Sequence, residues 1–586
     1  MASTQNAMPM TMNDNEPNQQ KINSRNIHDW TFNTTGFEKA AEDWQKFYRV
    51  CRSTELQTNH ENFTFPTVRD VFLARACYDD LYLKVWALTM EEDSQILITG
   101  QAGTGKTVAM WYLICRAIRD IAQPIVYVDK QITYVFFDGV VYYGSTNICA
   151  SEALPKSKTE SATLLVFLNL DGTDLSPSVG NRWTKIIQAS SNPANHRWTE
   201  KDLLHAQIVL PLWTKDELVK CFEVTPRNTK FLNTLDESFD EHGNAKTGVD
   251  PNLASRFKSA LEQARLQANT HPGLLDHTRK LSVLIEAAIT KLGPVVRDVF
   301  TAVVNPSHVD ALLQRAIQEL QLGDLITAVS SEGLSLPGAS HRIILVAADG
   351  EEVDKVAIDP EWNINIKSPD IGFLLMRRLR QLEDTGVIRS CISLLALPRG
   401  RSLAGWLFED AAQRILKTLE KDIPLVPMQM DTNLGNNSNP IFTTPENLDA
   451  ADPVVKLPSK RSVIQIPFKP TSWKNIKPDV YLFSDACNTP LMDAILVEFK
   501  HRTSILWVLQ LTVGDGRHYG SNEGYPLIDQ IKTAISTKRP RDTFNIRYVL
   551  VKPVEPAGEK MPGSWKLPTG WSKRKGKVFC AYLPLA

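Results

Sequence analysis

Several things are scarce in this chain, and each scarcity removes a class of function. Cysteines number only eight in 586 residues, at positions 51, 77, 115, 149, 221, 391, 487 and 580. None falls in a CxxC or Cys/His ligand spacing, so a zinc site is not expected. So thin a scatter in so long a chain fits a reducing compartment better than a disulfide scaffold. No apolar run is long enough to span a bilayer, so no membrane role is expected. The first 20 residues carry no apolar core of a secretory leader. Net charge is nearly absent, -1 from 65 basic and 66 acidic residues, so the overall balance names no partner. Internal repeats are absent as well.

What is present is ordinary globular material, 43% hydrophobic and 22% charged. At roughly 150 residues per domain, the length suggests three or four domains. Residues 1–35 are polar and rich in Asn, Gln, Thr and Ser, and read as a disordered segment. Residues 36–93 read as a helical lead-in, with Trp44, Phe47 and Tyr48, then Val71, Phe72 and Tyr78, at helix-like intervals. From Gln95 strands and helices alternate: strands are expected at 96–99, 124–128, 164–170, 185–189 and 207–210, and a helix at 108–118. That alternation predicts an α/β core with a mostly parallel, covered sheet over 94–213. A helical lid follows at 214–335, then an α/β connecting region at 336–400, with strands expected at 342–347 and 391–396 around a helix at 371–382. The last region, 401–586, opens on a helix at 404–419. A polar loop is expected at 430–452, and strands at 480–483, 494–499, 505–513, 547–551 and 578–582. Basic clusters at Lys538-Arg539-Pro540-Arg541 and Lys573-Arg574-Lys575-Gly576-Lys577 suit either a solvated face or phosphate contacts.

One segment carries specific chemistry. Gly100-Gln101-Ala102-Gly103-Thr104-Gly105-Lys106-Thr107 fits GxxxxGK[ST]. The glycines let backbone N–H groups curl around phosphates, Lys106 reaches the outer phosphates, and the Thr107 hydroxyl suits Mg²⁺. A strand precedes the loop and a helix begins in it, so the positive end of that helix points at the anion. A nucleoside triphosphate, with ATP as the default, and Mg²⁺ are the expected ligands. Such a site needs an acid at a neighbouring strand end. Asp171, closing the apolar run 164–170, supplies one; a strand-ending Asp-Gly turn is the other reading of Asp171-Gly172, and the phosphate loop upstream favours the metal role. Gln188, Ser190, Ser191 and Asn192 follow a later strand and suit either γ-phosphate sensing or a polar turn. Arg297, in Gly293-Pro294-Val295-Val296-Arg297, is either a surface arginine or one that reaches the nucleotide from the lid.

A second constellation lies in the C-terminal region. Metal-dependent nucleases gather carboxylates and amide oxygens on adjacent strands around Mg²⁺. Two assignments compete. The literal one is Pro478-Asp479 followed by Glu498-Phe499-Lys500. The other pairs Asp493 with Gln510, 17 residues on (510 − 493), with Thr512 in the position where a lysine usually stands. Glu409, on the helix at 404–419, is able to join either.

Together these segments resemble the Crinkler/RHS group of effector-like proteins. The segments are the phosphate loop, residues 164–171, Leu212-Trp213-Thr214-Lys215-Asp216-Glu217-Leu218, Gly293–Arg297 as spelled above, Gly405-Trp406-Leu407-Phe408-Glu409, Leu491-Met492-Asp493-Ala494 and Leu509-Gln510-Leu511-Thr512-Val513. The resemblance spans roughly residues 60–520. It implies an AAA/STAND-type P-loop NTPase followed by a restriction-endonuclease-like α/β domain. It favours Glu409, Asp493, Gln510 and Thr512 as the nuclease set, with Asp493 and Gln510 on Mg²⁺ and DNA as substrate. It also implies action in a nucleus, reached in some members by secretion into a host; the LxLFLAK entry motif of oomycete members is absent here. Threonine at the lysine position leaves an alternative: a nucleotide-gated switch whose nuclease-like domain binds without cutting. Assembly into a homo-oligomer is left open.

Overall fold

The computed structural model describes residues 27–52, 63–65, 68–89, 95–101, 103–121, 123–129, 131–145, 153–158, 164–169, 184–189, 205–268, 275–330, 340–348, 355–358, 362–382, 384–397, 399–431, 439–448, 452–484, 491–514, 517–519, 524–568 and 576–585. The chain is a mixed α/β protein with two large sheets.

The first sheet has five parallel strands at its centre, in the order His205–Val209, Gln95–Thr99, Thr184–Ala189, Leu164–Asn169 and Ile125–Asp129. All five were expected from the alternation of apolar runs. Ile96, Leu97, Ile98 and every residue from Leu164 to Leu168 are buried, as strands covered on both faces require. A hairpin of Ile132–Phe137 and Val140–Ser145 extends the sheet, turning at Asp138-Gly139, where φ is 44° and 80°. This is the Asp-Gly turn whose twist suits antiparallel strands. Helix Lys106–Asp120 covers one face with Met110, Trp111, Leu113 and Ile114. Helix Glu42–Arg52 packs Trp44 and Phe47 beside it, and the Trp44 ring stacks on Tyr134 at 3.9 Å.

The lead-in is less helical than its sequence suggests. Helices form at Glu42–Arg52 and Cys77–Thr89, but Phe63–Phe65 and Val68–Phe72 make a two-stranded pair, so Val71 and Phe72 lie in a strand. Both segments are rich in aromatic and β-branched residues, which suit an extended backbone. Residues 215–330 are mainly helical, as expected. Thr214 and Glu217 form a reciprocal capping box at the start of Lys215–Val224, and Asp276 caps His277–Leu292.

Beyond residue 340, Ile344–Ala348 pairs antiparallel with Trp362–Ile366, and Ala357–Ile358 returns to the edge of the first sheet beside His205–Val209. The strand expected at 391–396 is instead part of helix Asp384–Leu395. Val387, Cys391, Leu394 and Leu395 are buried and fall at i, i+4, i+7 and i+8, which is the stripe of a helix rather than the alternation of a strand. Cys391, Leu394 and Leu395 share a core with helix Arg401–Thr418.

The second sheet has eight strands in the order Asp452–Leu457, Ile423–Pro427, Lys577–Leu583, Thr543–Pro553, Thr503–Leu511, Ala494–Lys500, Val480–Ser484 and Ser462–Ile466. Its alternation is clean. Ala494, Leu496, Trp507 and Leu509 share a core with helix Arg401–Thr418. Ile495, Val497, Leu506 and Val508 share another with helix Gly524–Lys538. The polar stretch expected as a loop at 430–452 contains a short strand, Ile441–Thr443, anchored by buried Ile441 and Phe442 and paired with Gln429–Met430 and Ser564–Lys566.

Candidate functional site

The glycine-rich loop leaves the carboxyl end of strand Gln95–Thr99, where open parallel sheets place ligands. Its glycines take the backbone that other residues avoid: φ is 130° at Gly100, 89° at Gly103 and 92° at Gly105. Gly105 is the N-cap of helix Lys106–Asp120 and offers no side-chain cap, so the first N–H groups of that helix are left for an incoming anion. The Lys106 ammonium folds back on the loop and donates to Gly100 O (2.9 Å) and Gln101 O (3.0 Å). Burial, and then the charge of Arg297, pushes the Lys106 pKa down to about 7. Thr104 is fully buried and its hydroxyl donates to Gln101 O at 2.9 Å, whereas Thr107 is exposed.

Arg297 belongs to the first turn of helix Val296–Val304 in the lid. It is exposed and stands against the loop: a Cβ built on Gly103 would lie 3.7 Å from Arg297 Cβ and 2.9 Å from Val295 Cγ1. Arg297 is thus a surface residue of the lid whose backbone runs beside the glycine-rich loop.

The loop is braced from two sides by residues that sequence reading did not single out. Arg75 is buried and donates to Pro211 O (2.9 Å) and Leu212 O (2.7 Å), while its guanidinium pairs with Glu217 at 3.0 Å. It stacks on Trp213, whose indole N–H donates to Thr104 O at 3.1 Å. On the other side, the Gln101 amide locks onto strand Ile344–Ala348, accepting from Val346 N (2.9 Å) and donating to Ile344 O (3.2 Å). Gln101 occupies a variable position of the loop pattern, so no motif signals its role. Its partners lie about 245 residues away in sequence.

Asp171, Ser190, Ser191 and Asn192 lie outside the described residues. The strand leading to Asp171, Leu164–Asn169, does not pair with the phosphate-loop strand; Thr184–Ala189 lies between them. Gln188 occupies that intervening strand, in register with Leu97 and Leu168.

In the second sheet the fold brings Glu409, Asp493 and Gln510 together. Asp493 precedes strand Ala494–Lys500, and its Oδ2 accepts from Gln510 Nε2 (2.5 Å) and from Leu511 N (2.7 Å). Burial pushes the Asp493 pKa up to about 7, against the pull of the Leu511 N–H. Glu409 comes from helix Arg401–Thr418. Burial and then the Asp493 charge push it up to about 8, and Arg380 opposes them. Arg380, just past helix Pro369–Leu379, is a neighbour that the sequence gave no reason to choose. Thr512 is engaged in the strand end: its N–H donates to Val551 O (3.0 Å), and its Oγ1 accepts from Gly514 N (3.2 Å).

The rival set sits elsewhere. Glu498 is buried on the face of Leu496 and accepts from the Trp507 indole at 2.8 Å, with Lys500 3.6 Å away. Asp479 is exposed, at φ 58°. Along the strand, Glu498 lies roughly 17 Å from Asp493. Among the described residues, no three His, Cys, Asp or Glu side chains gather as a metal cage. The donors at the Asp493 site are two carboxyls and one amide, an all-oxygen set of the kind that hard divalent cations take. Among the described residues no helix is long and apolar enough to cross a membrane.

No family model matches this chain, and no curated protein matches it. Among solved structures it is similar to the RuvB Holliday junction branch migration motor of Thermotoga maritima. That alignment has 13% sequence identity, covers 46% of this chain and 87% of that chain, and gives a TM-score of 0.21. A variant of the same motor aligns at 13% identity over 45% of this chain and 85% of that one, also with a TM-score of 0.21. The likeness is distant and assigns the chain to no family.

Proposed function

We propose that this protein binds and hydrolyses a nucleoside triphosphate, ATP by default, at residues 100–107. One observation carries the reading. Three positive-φ glycines, Lys106 and the lid residue Arg297 converge on the uncapped N-terminus of helix Lys106–Asp120. Gly100, Gly103, Thr104, Gly105 and Lys106 cradle the phosphates, and Arg297 approaches from the lid. Crowding between Lys106 and Arg297 is relieved when a polyanion lies between them. Mg²⁺ would be held by exposed Thr107, with Asp171 assigned to its water shell from its strand-end position. When bound, it neutralises charge on the transferring phosphoryl group. Lys106→Ala is expected to lower affinity for a fluorescent ATP analogue by at least about tenfold and to abolish hydrolysis. Unchanged hydrolysis in that variant would refute the assignment.

For the C-terminal region, the meeting of Glu409, Asp493 and Gln510 supports the restriction-endonuclease-like reading, with Mg²⁺-dependent cleavage of a DNA phosphodiester. Asp493 and Gln510 would hold the metal, which when bound would supply Lewis-acid polarisation of water and phosphate. Glu409 stays within electrostatic reach of Asp493 and is suited to hold or release a proton there. The Crinkler-type setting, with DNA in a nucleus, rests on the sequence resemblance. A binding module without cleavage is the second reading, favoured by the Thr512 hydroxyl being engaged with Gly514 rather than by any base at that position. Supercoiled plasmid with Mg²⁺ and ATP separates them. Nicking lost in Asp493→Ala supports cleavage. Intact plasmid with both proteins, under Mn²⁺ too, supports binding alone.

A further inference from the structure

The residues 336–400 carry no motif, yet one of them reaches the lid beside the phosphate loop. Lys367 follows strand Trp362–Ile366, and its side chain is 1% exposed. Its ammonium donates to Asp298 Oδ2 at 2.8 Å. Asp298 is the residue after Arg297, in the same first helical turn, where a carboxylate is also favoured by the helix dipole. Arg342 approaches the other oxygen of Asp298 at 3.7 Å.

The backbone around Lys367 grips the same corner of the lid. A Cβ on Gly293 would stand 2.8 Å from Lys367 O, so only glycine lets the two chains touch. The Ser368 hydroxyl donates to Lys291 O at 2.6 Å, at the end of helix His277–Leu292. Lys367 N donates to Ile343 O at 2.9 Å, beside the strand that Gln101 grips. The turn 293–298 is thus held between Lys367 on one side and the phosphate loop on the other. Val295 and Arg297 are the residues that face Gly103.

We infer that Lys367 is a positioning residue of the nucleotide site: through its buried ion pair with Asp298 it fixes the first turn of helix Val296–Val304 and so sets Arg297 over the phosphate loop. This rests on the nucleotide-binding reading. Without Lys367 the Asp298 carboxylate keeps, among the described residues, the longer contact to Arg342, and the turn that carries Arg297 loses its anchor. A buried charge stripped of its partner re-pairs or draws in water, and either response moves that turn.

The test is a double-mutant cycle on the full chain, read as affinity for a fluorescent ATP analogue. Lys367→Met is expected to weaken binding about tenfold, the scale of one charge-assisted contact. In an Arg297→Met background the same substitution should cost nothing further, because the residue it positions is gone. A fold that merely loosens would lose affinity equally in both backgrounds, and that additivity overturns the inference. Unchanged affinity in Lys367→Met overturns it as well. Should Lys367→Met fail to fold, Asp298→Asn enters the same cycle with the same expectations. Wild-type protein that binds no analogue refutes the nucleotide reading itself, and this inference with it. Binding that is lost in Lys106→Ala but untouched in Lys367→Met refutes the inference alone.

Discussion

Glu409 and Asp493 each hold a proton more tightly than a carboxyl does in water, because burial penalises the charged form, and at Glu409 the Asp493 charge adds to this. The sign for stability follows. Their folded pKa values, about 8 and about 7, lie above the unfolded values of roughly 4. Both carboxyls therefore favour the folded state while protonated. That contribution is full below about pH 4 and is lost as pH rises through 7 and 8. The protein without Mg²⁺ is expected to melt at lower temperature at pH 9 than at pH 6, and Glu409→Gln should flatten that slope. Melts across this range, with and without Mg²⁺, check both points. A divalent cation should restore stability at high pH and displace protons as it binds. A slope unchanged in Glu409→Gln would mean that other groups set it.

At the scale of elements, the phosphate loop depends on how the next helix begins. Thr214 and Glu217 cap helix Lys215–Val224, and the same Glu217 holds Arg75, which supports the strand end at Pro211 and Leu212. Trp213, one residue before the cap, bonds to Thr104 O. Thr214→Ala is expected to cost about 1 kcal/mol in denaturant unfolding. It should also weaken nucleotide binding, since Trp213 and Glu217 shift with the cap. Loss of stability with unchanged affinity would separate the cap from the loop. Elements were also where sequence patterns misled. The apolar run near 391 is short, and short runs do not distinguish strand from helix. What resolved it is a second helix, Arg401–Thr418, which packs with Cys391, Leu394 and Leu395. The hairpin at Asp138-Gly139 was absent from the expected strands although its signal is local, an Asp-Gly pair between the β-branched and aromatic runs Ile132–Phe137 and 140–143.

Across the whole molecule, two sheets carry the two candidate sites, and the segment between them is built into the first. Ala357–Ile358 adds a strand to the phosphate-loop sheet, Val346 and Ile344 grip Gln101, and Lys367 grips Asp298. Trp406, one turn before Glu409, donates its indole N–H to Asn365 Oδ1 at 3.2 Å, on the strand that precedes Lys367. The backbone form of the glycine-rich loop was legible from sequence because its determinants are local. Eight contiguous residues carry the backbone freedom, the lysine and the hydroxyl, and a strand and a helix flank them wherever the rest of the chain goes. The strands Gln95–Thr99, Ile125–Asp129 and Leu164–Asn169 were legible for a similar reason, since a strand buried on both faces is mostly apolar. The contacts of Arg75, Gln101 and Lys367 were not, because each has its partner brought near only by folding, and Arg297 stayed between two readings for the same reason. The resemblance already favoured Asp493 with Gln510 over Asp479 with Glu498, but the approach of Glu409 to Asp493 is tertiary. A period of two says which residues share a face, but not which end of a sheet receives the helix bearing Glu409. Packing of helix Arg401–Thr418 placed that carboxyl beside Asp493, and left Glu498 bonded to Trp507.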